Sequence, residues 1–465
     1  MNWSEKRVVI IGAARQGTAL ARYLAEKDAQ VTLTDARPAE ELADIRESLA
    51  DYPIRWVLGD HPIELLDDAD LVCPSGGVPL TIPFVREAIW RGIPLSNDSQ
   101  IFVQEAPCTI AGITGSAGKT TTTTLLGRIA GQAVEHGFFR KLYVGGNIGV
   151  PLINQVDEMA AEDISVVEFS SFQLELMTIS PQIAAVLNVT PNHLDRHETM
   201  QAYTAAKKNI FAHQGPEDAA VLGFDDPTVW KMAVEVPGRV YAFGTDLPPG
   251  QVGAYVTAEE VVVRTDLGEQ DVISTDHVEL PGSHNLLNVA AACAAAAALG
   301  FPADVMRAGI RGFTGVEHRL EFVRQWGGAD WYNDSKATSP GMTVTAMQAF
   351  NERLIVLVGG RDKHLPWEQF AQQAAAQADV VIAFGEAAGI IQQAVREVLP
   401  EREMGLQLEI HPGLDQAVNA AANWVRPGHV VLLAPGGTSF DEFEDYEARG
   451  RHFKNLVNRL PVEEQ

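Results

Sequence analysis

Short apolar runs, each followed by a segment with apolar residues at helical spacing, recur along most of the chain. "RVVIIGA" is an apolar strand, "GTALARYLAEKD" has helical spacing, and "QVTLTDARP" is a second strand ending on Asp35. "ADLVCPSGG" closes a later strand on a glycine turn, and "REAIWRGIPLSND" reads as a helix, a turn and a short strand. This alternation predicts a parallel sheet with helices on both faces. A second series begins at "CTIAGITGSAGKTTTTTLLGRIAG" and continues through "ISVVEFSSFQLE", "IAAVLNVT" and a helix over about 199–213. A β-rich section follows at about 239–280, and "NVAAACAAAAALG", starting at Asn288, predicts a tightly packed interior helix. "GIRGFTGVEHRLEFV" reads as a linker into a third unit. There "WYNDSKATSP", "RLIVLVGGRDKH", "ADVVIAFGE" and "HVVLLAPGGTSFDEF" are apolar strands ending on polar or glycine-rich tips, the place where open α/β sheets bind ligands.

The fold class is therefore α/β with three domains, at 1–106, 107–316 and 317–465: a Rossmann-like domain, a central P-loop-type domain and a second Rossmann-like domain. Its 465 residues, 46% hydrophobic and 21% charged, fit well-filled globular cores. A net charge of −26 argues against a nucleic-acid or anionic-membrane partner. It also means that an anionic substrate must be held by local cations and backbone amides. Cys73, Cys108 and Cys293 show neither a disulfide framework nor CxxC spacing, and read as buried hydrophobes in a reducing compartment. The N-terminus lacks a signal-peptide pattern, and no apolar run reaches the roughly 18–20 residues of a membrane span. A cytoplasmic location is expected.

Two glycine loops carry candidate chemistry. In "IIGAARQG", Gly12 and Gly17 match Gly-x-Gly-x-x-Gly, Ala14 holds the middle place, and Asp35 follows Gly17 by 18 residues, at the end of the next strand. A dinucleotide fold puts its ribose-binding acid there. NAD, another diphosphate such as a nucleotide sugar, and a plain βα turn all remain open. In "GITGSAGKTTTT" the usual Gly-x-x-x-x-Gly-Lys-Ser/Thr pattern would put a glycine at 113, which is Ile, while Gly112 lies one residue early. A strand before the loop and a helix after it still mark a phosphate loop, with Lys119 as the phosphate-binding cation and the Thr120 hydroxyl as a Mg²⁺ ligand. Thr120–Thr124 are poor helix formers, which suits an anion site at the helix start. Glu168 ends an apolar strand, poised for a hard cation. His193 and Asp195 stand at the next strand tip. Lys207 and Lys208 read equally well as solvated lysines, Arg319 as a linker ion pair, and Asp334, Lys336, Thr338, Asp362 and Lys363 as turn chemistry on strand tips.

Eight segments in order, "GITGSAGKTTT", "GGNIGVP", "VVEFSSFQLE", "NVTPNHLDRH", "LPGSHNLLNVAAA", "EHRLEF", "NDSKATSP" and "GGRDKH", resemble the motifs of the Mur ligases, which build the peptide stem of peptidoglycan. The family's loop, Gly-x-x-Gly-Thr/Ser-x-Gly-Lys-Ser/Thr, is met by Gly112, Gly115, Ser116, Gly118, Lys119 and Thr120. "SSFQLE" and "NDSKAT" are most similar to the D-glutamate-adding branch. The resemblance implies an ATP- and Mg²⁺-dependent monomer that adds D-glutamate to UDP-N-acetylmuramoyl-L-alanine through an acyl phosphate. It implies a UDP-substrate site at Ala14, Arg15, Gln16, Gly17, Asp35, Ala36, Arg37, Ser75, Gly76 and Asn147. It implies an ATP site at Gly115, Ser116, Ala117, Gly118, Lys119, Thr120, Thr121, Asn285, Arg319 and Asp334. Metal ligands would be Thr120, Glu168, His193 and a carbamate on Lys207, and Lys119, Glu168, His193 and Lys207 would be catalytic. His193, Lys336, Thr338, Lys363, Ser439 and Phe440 would hold the incoming amino acid.

The chain departs from the family pattern in four places. Ala117 stands where Asn is usual. "CPSGGVP" alters the usual Ser-Pro-Gly turn, and "NDSQIF" replaces an acidic pair. Asn192 precedes His193 where an acid is common. An L-glutamate-using relative and a folylpolyglutamate-synthase-like ligase are the alternatives, though the latter leaves the first domain without a role. A P-loop regulator or an NAD-binding module would need only one of the two loops.

Overall fold

A computed structural model describes residues 2–461 apart from 192, 193, 281, 364 and 399–404, and only the backbone of 194, 195 and 283. It forms two compact units, Met1–Val278 with Leu286–Arg311, and Glu279–Asn285 with Gly312–Gln465. The first unit carries two sheets and the second carries one.

The first sheet is parallel, in the order β3-β2-β1-β4, with β1 at Arg7–Ile11, β2 at Gln30–Asp35, β3 at Ile54–Leu58 and β4 at Leu71–Pro74. The pleat of β1 divides its side chains between two cores. Val8 and Ile10 face the core of the helix Arg15–Glu26, and Val9 and Ile11 face that of the helix Pro83–Trp90. Burial on both faces is why the strand reads as an unbroken apolar run. The short strand expected near 93–96 is reduced to one parallel bridge, Val72 to Leu95. The chain leaves the sheet there because Asn97 caps the helix Asp98–Glu105, its side chain accepting from Gln100 N.

The central sheet has nine strands, ordered β13-β12-β11-β10-β9-β8-β5-β7-β6. They are β5 (Thr109–Thr114), β6 (Leu142–Gly146), β7 (Ile164–Glu168), β8 (Ile183–Val186), β9 (Ala219–Gly223), β10 (Arg239–Gly244), β11 (Gly253–Val256), β12 (Glu260–Thr265) and β13 (Gly268–Ser274). From β6 to β11 the pairing is parallel, and β11 to β13 form an antiparallel meander, the β-rich section of the sequence. The helix expected over 199–213 spans Met200–Lys208. In the helix Ser283–Ala298, every residue from 289 to 297 is buried, as its Ala-rich sequence predicts. No helix among the described residues is long and apolar enough to cross a membrane.

The third sheet has six strands, β14 (Glu321–Trp326), β15 (Ala329–Asn333), β16 (Arg353–Gly359), β17 (Ala378–Phe384), β18 (Gln407–His411) and β19 (His429–Gly436), in the order β14-β15-β19-β16-β17-β18. Only β14 runs antiparallel to its neighbour. The segment read as a linker contains the unit boundary at Arg311/Gly312, and its last residues already begin β14. The ends of β15, β16 and β19 release Asp334–Thr338, Gly360–Lys363 and Gly437–Phe440 at one edge of this sheet.

Candidate active site

The phosphate-type loop joins β5 to the helix Lys119–Glu135 through Gly118, whose φ is +82°. An added Cβ there would lie 2.2 Å from Asn288 Oδ1, so both backbone and space call for glycine. The loop is laced to the segment leaving β8. Ser116 N donates to Asn188 O at 2.9 Å, Ala117 N donates to Asn188 Oδ1 at 2.8 Å, and Asn188 Nδ2 donates back to Ala117 O at 3.1 Å. Ser116 Oγ also meets Thr190 O, Thr190 N and Tyr203 Oη, each at 3.0 Å. The peptide of Ala117 is thus bracketed on both sides although its own side chain carries no amide.

Two cations converge on one carbonyl. Lys119 Nζ donates to Gly115 O at 2.9 Å and to Ser116 O at 3.3 Å, and Lys207 Nζ donates to Gly115 O at 2.8 Å. Lys207 is 1% exposed and lies 4.5 Å from the Tyr203 ring centroid. Burial, then the nearby Lys119 charge, push the Lys207 amine down to about 6 against the opposing pull of Glu168. Lys208 instead pairs with Glu235 at the surface, so only Lys207 reaches the loop. The carboxylate of buried Glu168 is shared: Oε2 accepts from Thr120 Oγ1 and Oε1 accepts from Asn147 Nδ2, each at 2.8 Å. Thr121 is buried beside Thr120. His193 lies outside the described residues, as does the side chain of Asp195.

The first glycine loop stands nearby in the same unit, with Arg15 Nη2 donating to Asn147 O at 3.3 Å. A Cβ on Gly17 would lie 2.0 Å from Gly12 O and 2.7 Å from Ser75 Oγ, so the helix Arg15–Glu26 can start this close only from glycine. Ser75 Oγ donates to Gly12 O at 3.0 Å. Asp35 is buried and engaged at both oxygens. Oδ2 accepts from Ala13 N (2.7 Å) and Arg37 Nη2 (2.8 Å), and Oδ1 accepts from Arg37 N (2.9 Å) and Nε (3.0 Å). Burial alone would raise its pKa, but the hydrogen bonds from Arg37 and Ala13 outweigh it and hold the carboxyl at about 2. Ala14 and Ala36 are exposed, and Gln16 and Gly76 are half-buried.

In the second unit Asp334 is buried after β15, its Oδ1 accepting from Leu320 N at 3.2 Å. Burial lifts it to about 6 against the nearby Arg319 and Lys336 charges. Arg319 sits between two residues of left-handed backbone, His318 (φ +63°) and Leu320 (φ +42°). Lys363 Nζ reaches Thr338 Oγ1 at 3.4 Å, Ser439 is buried and Phe440 is exposed. Asp362 Oδ1 accepts from Trp367 Nε1 at 3.3 Å, and Asn285 is buried in the first turn of its helix. Beneath this edge, fully buried Arg449 donates to Ser335 O and Oγ and to Gly437 O. Glu317, His318 and Glu321 approach one another closely enough to share a cation, but Lys454 Nζ already lies 2.9 Å from Glu317 and 2.6 Å from Glu321.

Sequence reasoning missed Asn188, Tyr203, Asn288 and Arg449. Tyr203 alone carried a usable signal, since it precedes Lys207 by one helical turn.

The description "Mur ligase MurD-like, N-terminal domain" matches residues 6–97, "Mur ligase middle domain" matches 113–296, and "Mur ligase, glutamate ligase domain" matches 318–437. A UDP-N-acetylmuramoylalanine–D-glutamate ligase of Symbiobacterium thermophilum is 41% identical over 98% of both chains. The chain belongs to the Mur ligase family. This Mur ligase is also 38% identical to a protein of the same name from Pelotomaculum thermopropionicum, over 99% of each chain. Among solved structures, UDP-N-acetylmuramate-alanine ligase of Thermotoga maritima aligns with a TM-score of 0.56 at 18% identity, over 97% of this Mur ligase and 99% of that chain. The MurF ligase of the same organism, solved in complex with ADP, aligns with a TM-score of 0.56 at 19% identity, over 98% and 96%. These two share the fold of this Mur ligase.

Proposed function

We propose that this Mur ligase joins D-glutamate to UDP-N-acetylmuramoyl-L-alanine, using ATP, in the cytoplasmic synthesis of peptidoglycan precursor. The observation that carries the mechanism is the meeting of Lys119 and Lys207 on the Gly115 carbonyl, with Glu168, which accepts from Thr120, near enough to act on the Lys207 charge. The full-length likeness to relatives named for this reaction supports the substrates. In this reading residues 1–106 grip the UDP moiety, 107–316 bind ATP and 317–465 present the amino acid. The enzyme acts as a monomer, with no nucleic-acid or membrane partner.

Glu168 and Thr120 place two hard oxygen donors side by side, which fits Mg²⁺, with His193 as a further ligand. Mg²⁺ bound there supplies positive charge against the phosphate oxygens. The buried, largely neutral Lys207 amine can attack CO2, forming an N–C bond and releasing a proton. The resulting carbamate turns the amine into an anionic oxygen donor beside the phosphate loop. Lys119 holds the β- and γ-phosphates. The alanine carboxylate attacks the γ-phosphorus, the bond to ADP breaks, and an acyl phosphate forms. The glutamate amine then attacks the acyl carbon, phosphate leaves, and the amine gives up its proton. Both steps gather negative charge, so the cations, amides and helix start at Gly118 act by preorganised electrostatics. Asn285, Arg319 and Asp334 contact the nucleotide. Lys336, Thr338, Lys363, Ser439 and Phe440, with His193, hold the amino acid.

ADP and phosphate should be released only when UDP-N-acetylmuramoyl-L-alanine and D-glutamate are both present, measured by coupled ADP detection. Turnover of a folate, or ATP hydrolysis without an amino acid, would overturn the assignment. Turnover with L- but not D-glutamate would move it to the L-glutamate branch. A second expectation concerns Asn188. Asn188→Ala removes both brackets from the Ala117 peptide, so KM for ATP should rise on the order of 10-fold with KM for D-glutamate unchanged, in steady-state assays.

A further inference from the structure

We infer that Arg196 is a positioning residue that sets affinity for the UDP-linked substrate by fixing the turn at 75–78. This rests on the substrate reading above. Arg196 belongs to the short helix Leu194–His197 of the central domain, yet its guanidinium reaches the first sheet. Nη1 donates to Gly76 O at 3.3 Å and to Gly77 O at 3.2 Å, and Nη2 donates to Val78 O at 2.5 Å. Three successive carbonyls are held by one planar fork, a geometry that the single ammonium of lysine does not reproduce.

The turn needs this support. It follows β4 and contains two adjacent glycines, the residues with the most backbone freedom to lose. Among the described residues, a Cβ at Gly77 would meet nothing within 4 Å, and one at Gly76 would meet only Gln16 Oε1 at 3.2 Å and Gln173 Cγ at 4.0 Å. Apart from the Arg196 contacts, the turn is closed by Val78 N donating to Ser75 O at 2.8 Å. In a trans peptide the C=O and N–H point in opposite directions. Drawing the Gly76 carbonyl to Arg196 therefore turns the Gly77 N–H the other way, and the chain has no cis peptide bonds here. Ser75, at the start of the turn, hydrogen-bonds Gly12 O, so the turn's position is tied to the diphosphate-type loop.

Arg196 is itself held. Its guanidinium lies 4.3 Å from the centroid of Phe172, and the His197 ring stacks on the same residue at 5.2 Å. Phe172 sits in the short helix Ser171–Leu174, fixed by a Ser170–Gln173 capping box. Asn97 Nδ2 donates to Gln173 O at 2.8 Å, which links this helix to the 97–105 segment of the first unit.

The test is isothermal titration of the full chain with UDP-N-acetylmuramoyl-L-alanine and, separately, with ATP. Arg196→Ala should weaken the UDP substrate on the order of 10-fold and leave ATP affinity unchanged. Gly77 has no positive φ and no close neighbour among the described residues, so an alanine there fits and stiffens the turn. Gly77→Ala in the Arg196→Ala background should recover about 2- to 5-fold of the lost affinity. Wild-type affinity in Arg196→Ala, a parallel loss of ATP binding, or no recovery in the double variant would overturn the inference. The last two would show that Arg196 serves only to fold its own helix. A wild-type protein that does not bind the UDP substrate at all would instead overturn the proposed function beneath it.

Discussion

Lys207→Arg should lose activity on the order of 100- to 1000-fold while binding UDP-N-acetylmuramoyl-L-alanine as tightly as the wild type, read from single-turnover product formation and titration. Charge rather than size decides this outcome. Lys207 is buried against Gly115 O with an amine driven down to about 6, so at neutral pH it is largely the neutral amine that the proposed carbamate requires. A guanidinium stays protonated at any working pH and forms no carbamate. Wild-type rates in Lys207→Arg would show that the lysine only packs. Lys207→Met keeps the volume without the charge and gives a second readout. The unfolded amine titrates near 10.5 and the folded one near 6, so between these values the unfolded chain binds more protons and stability rises with pH. Below about 6 both forms are protonated and the burial penalty is fully present. The wild type should therefore gain thermal stability from pH 6 to pH 9, and Lys207→Met should lose most of that slope.

Gly118→Ala should lower unfolding free energy by roughly 2–4 kcal/mol and depress ATP affinity, measured by denaturant titration and nucleotide binding. Two separate costs combine. One is the left-handed backbone at φ +82°, and the other is a Cβ placed 2.2 Å from Asn288 Oδ1. Asn288→Ala in the same chain removes the clash but not the backbone strain, so about half of the loss should return. Full additivity of the two single variants would show that the side chains do not collide.

The strands were legible because they are buried on both faces: after their exposed first arginines, "RVVII" and "RLIVLVG" admit no polar position that could confuse the period. The phosphate loop was legible because its glycines, lysine and threonine are contiguous. Asn188, Arg196 and Arg449 were not, because each acts on backbone carbonyls or amides of a distant segment, and a carbonyl leaves no mark in the sequence. Lys207 and Lys208 illustrate the limit. Neighbours of identical chemistry, they part company only when the helix turns one inward and the other toward Glu235. The strand expected near 93–96 failed for a related reason, since apolar spacing does not reveal that Asn97 will start a helix at once.

The saturation of Asp35 has a consequence for how the first domain selects its ligand. A carboxylate offers about four acceptor positions, and here Ala13 and Arg37 take all four. A ribose hydroxyl or a base N–H arriving at Asp35 must displace one of these donors, so it exchanges one hydrogen bond for another rather than adding one. The net gain for the right ligand is small, whereas a ligand that displaces Arg37 without replacing its bond strands a buried charge. On the substrate reading proposed above, Asp35 would act as a filter: it would contribute little to how tightly the correct nucleotide is held and much to how firmly a wrong one is refused.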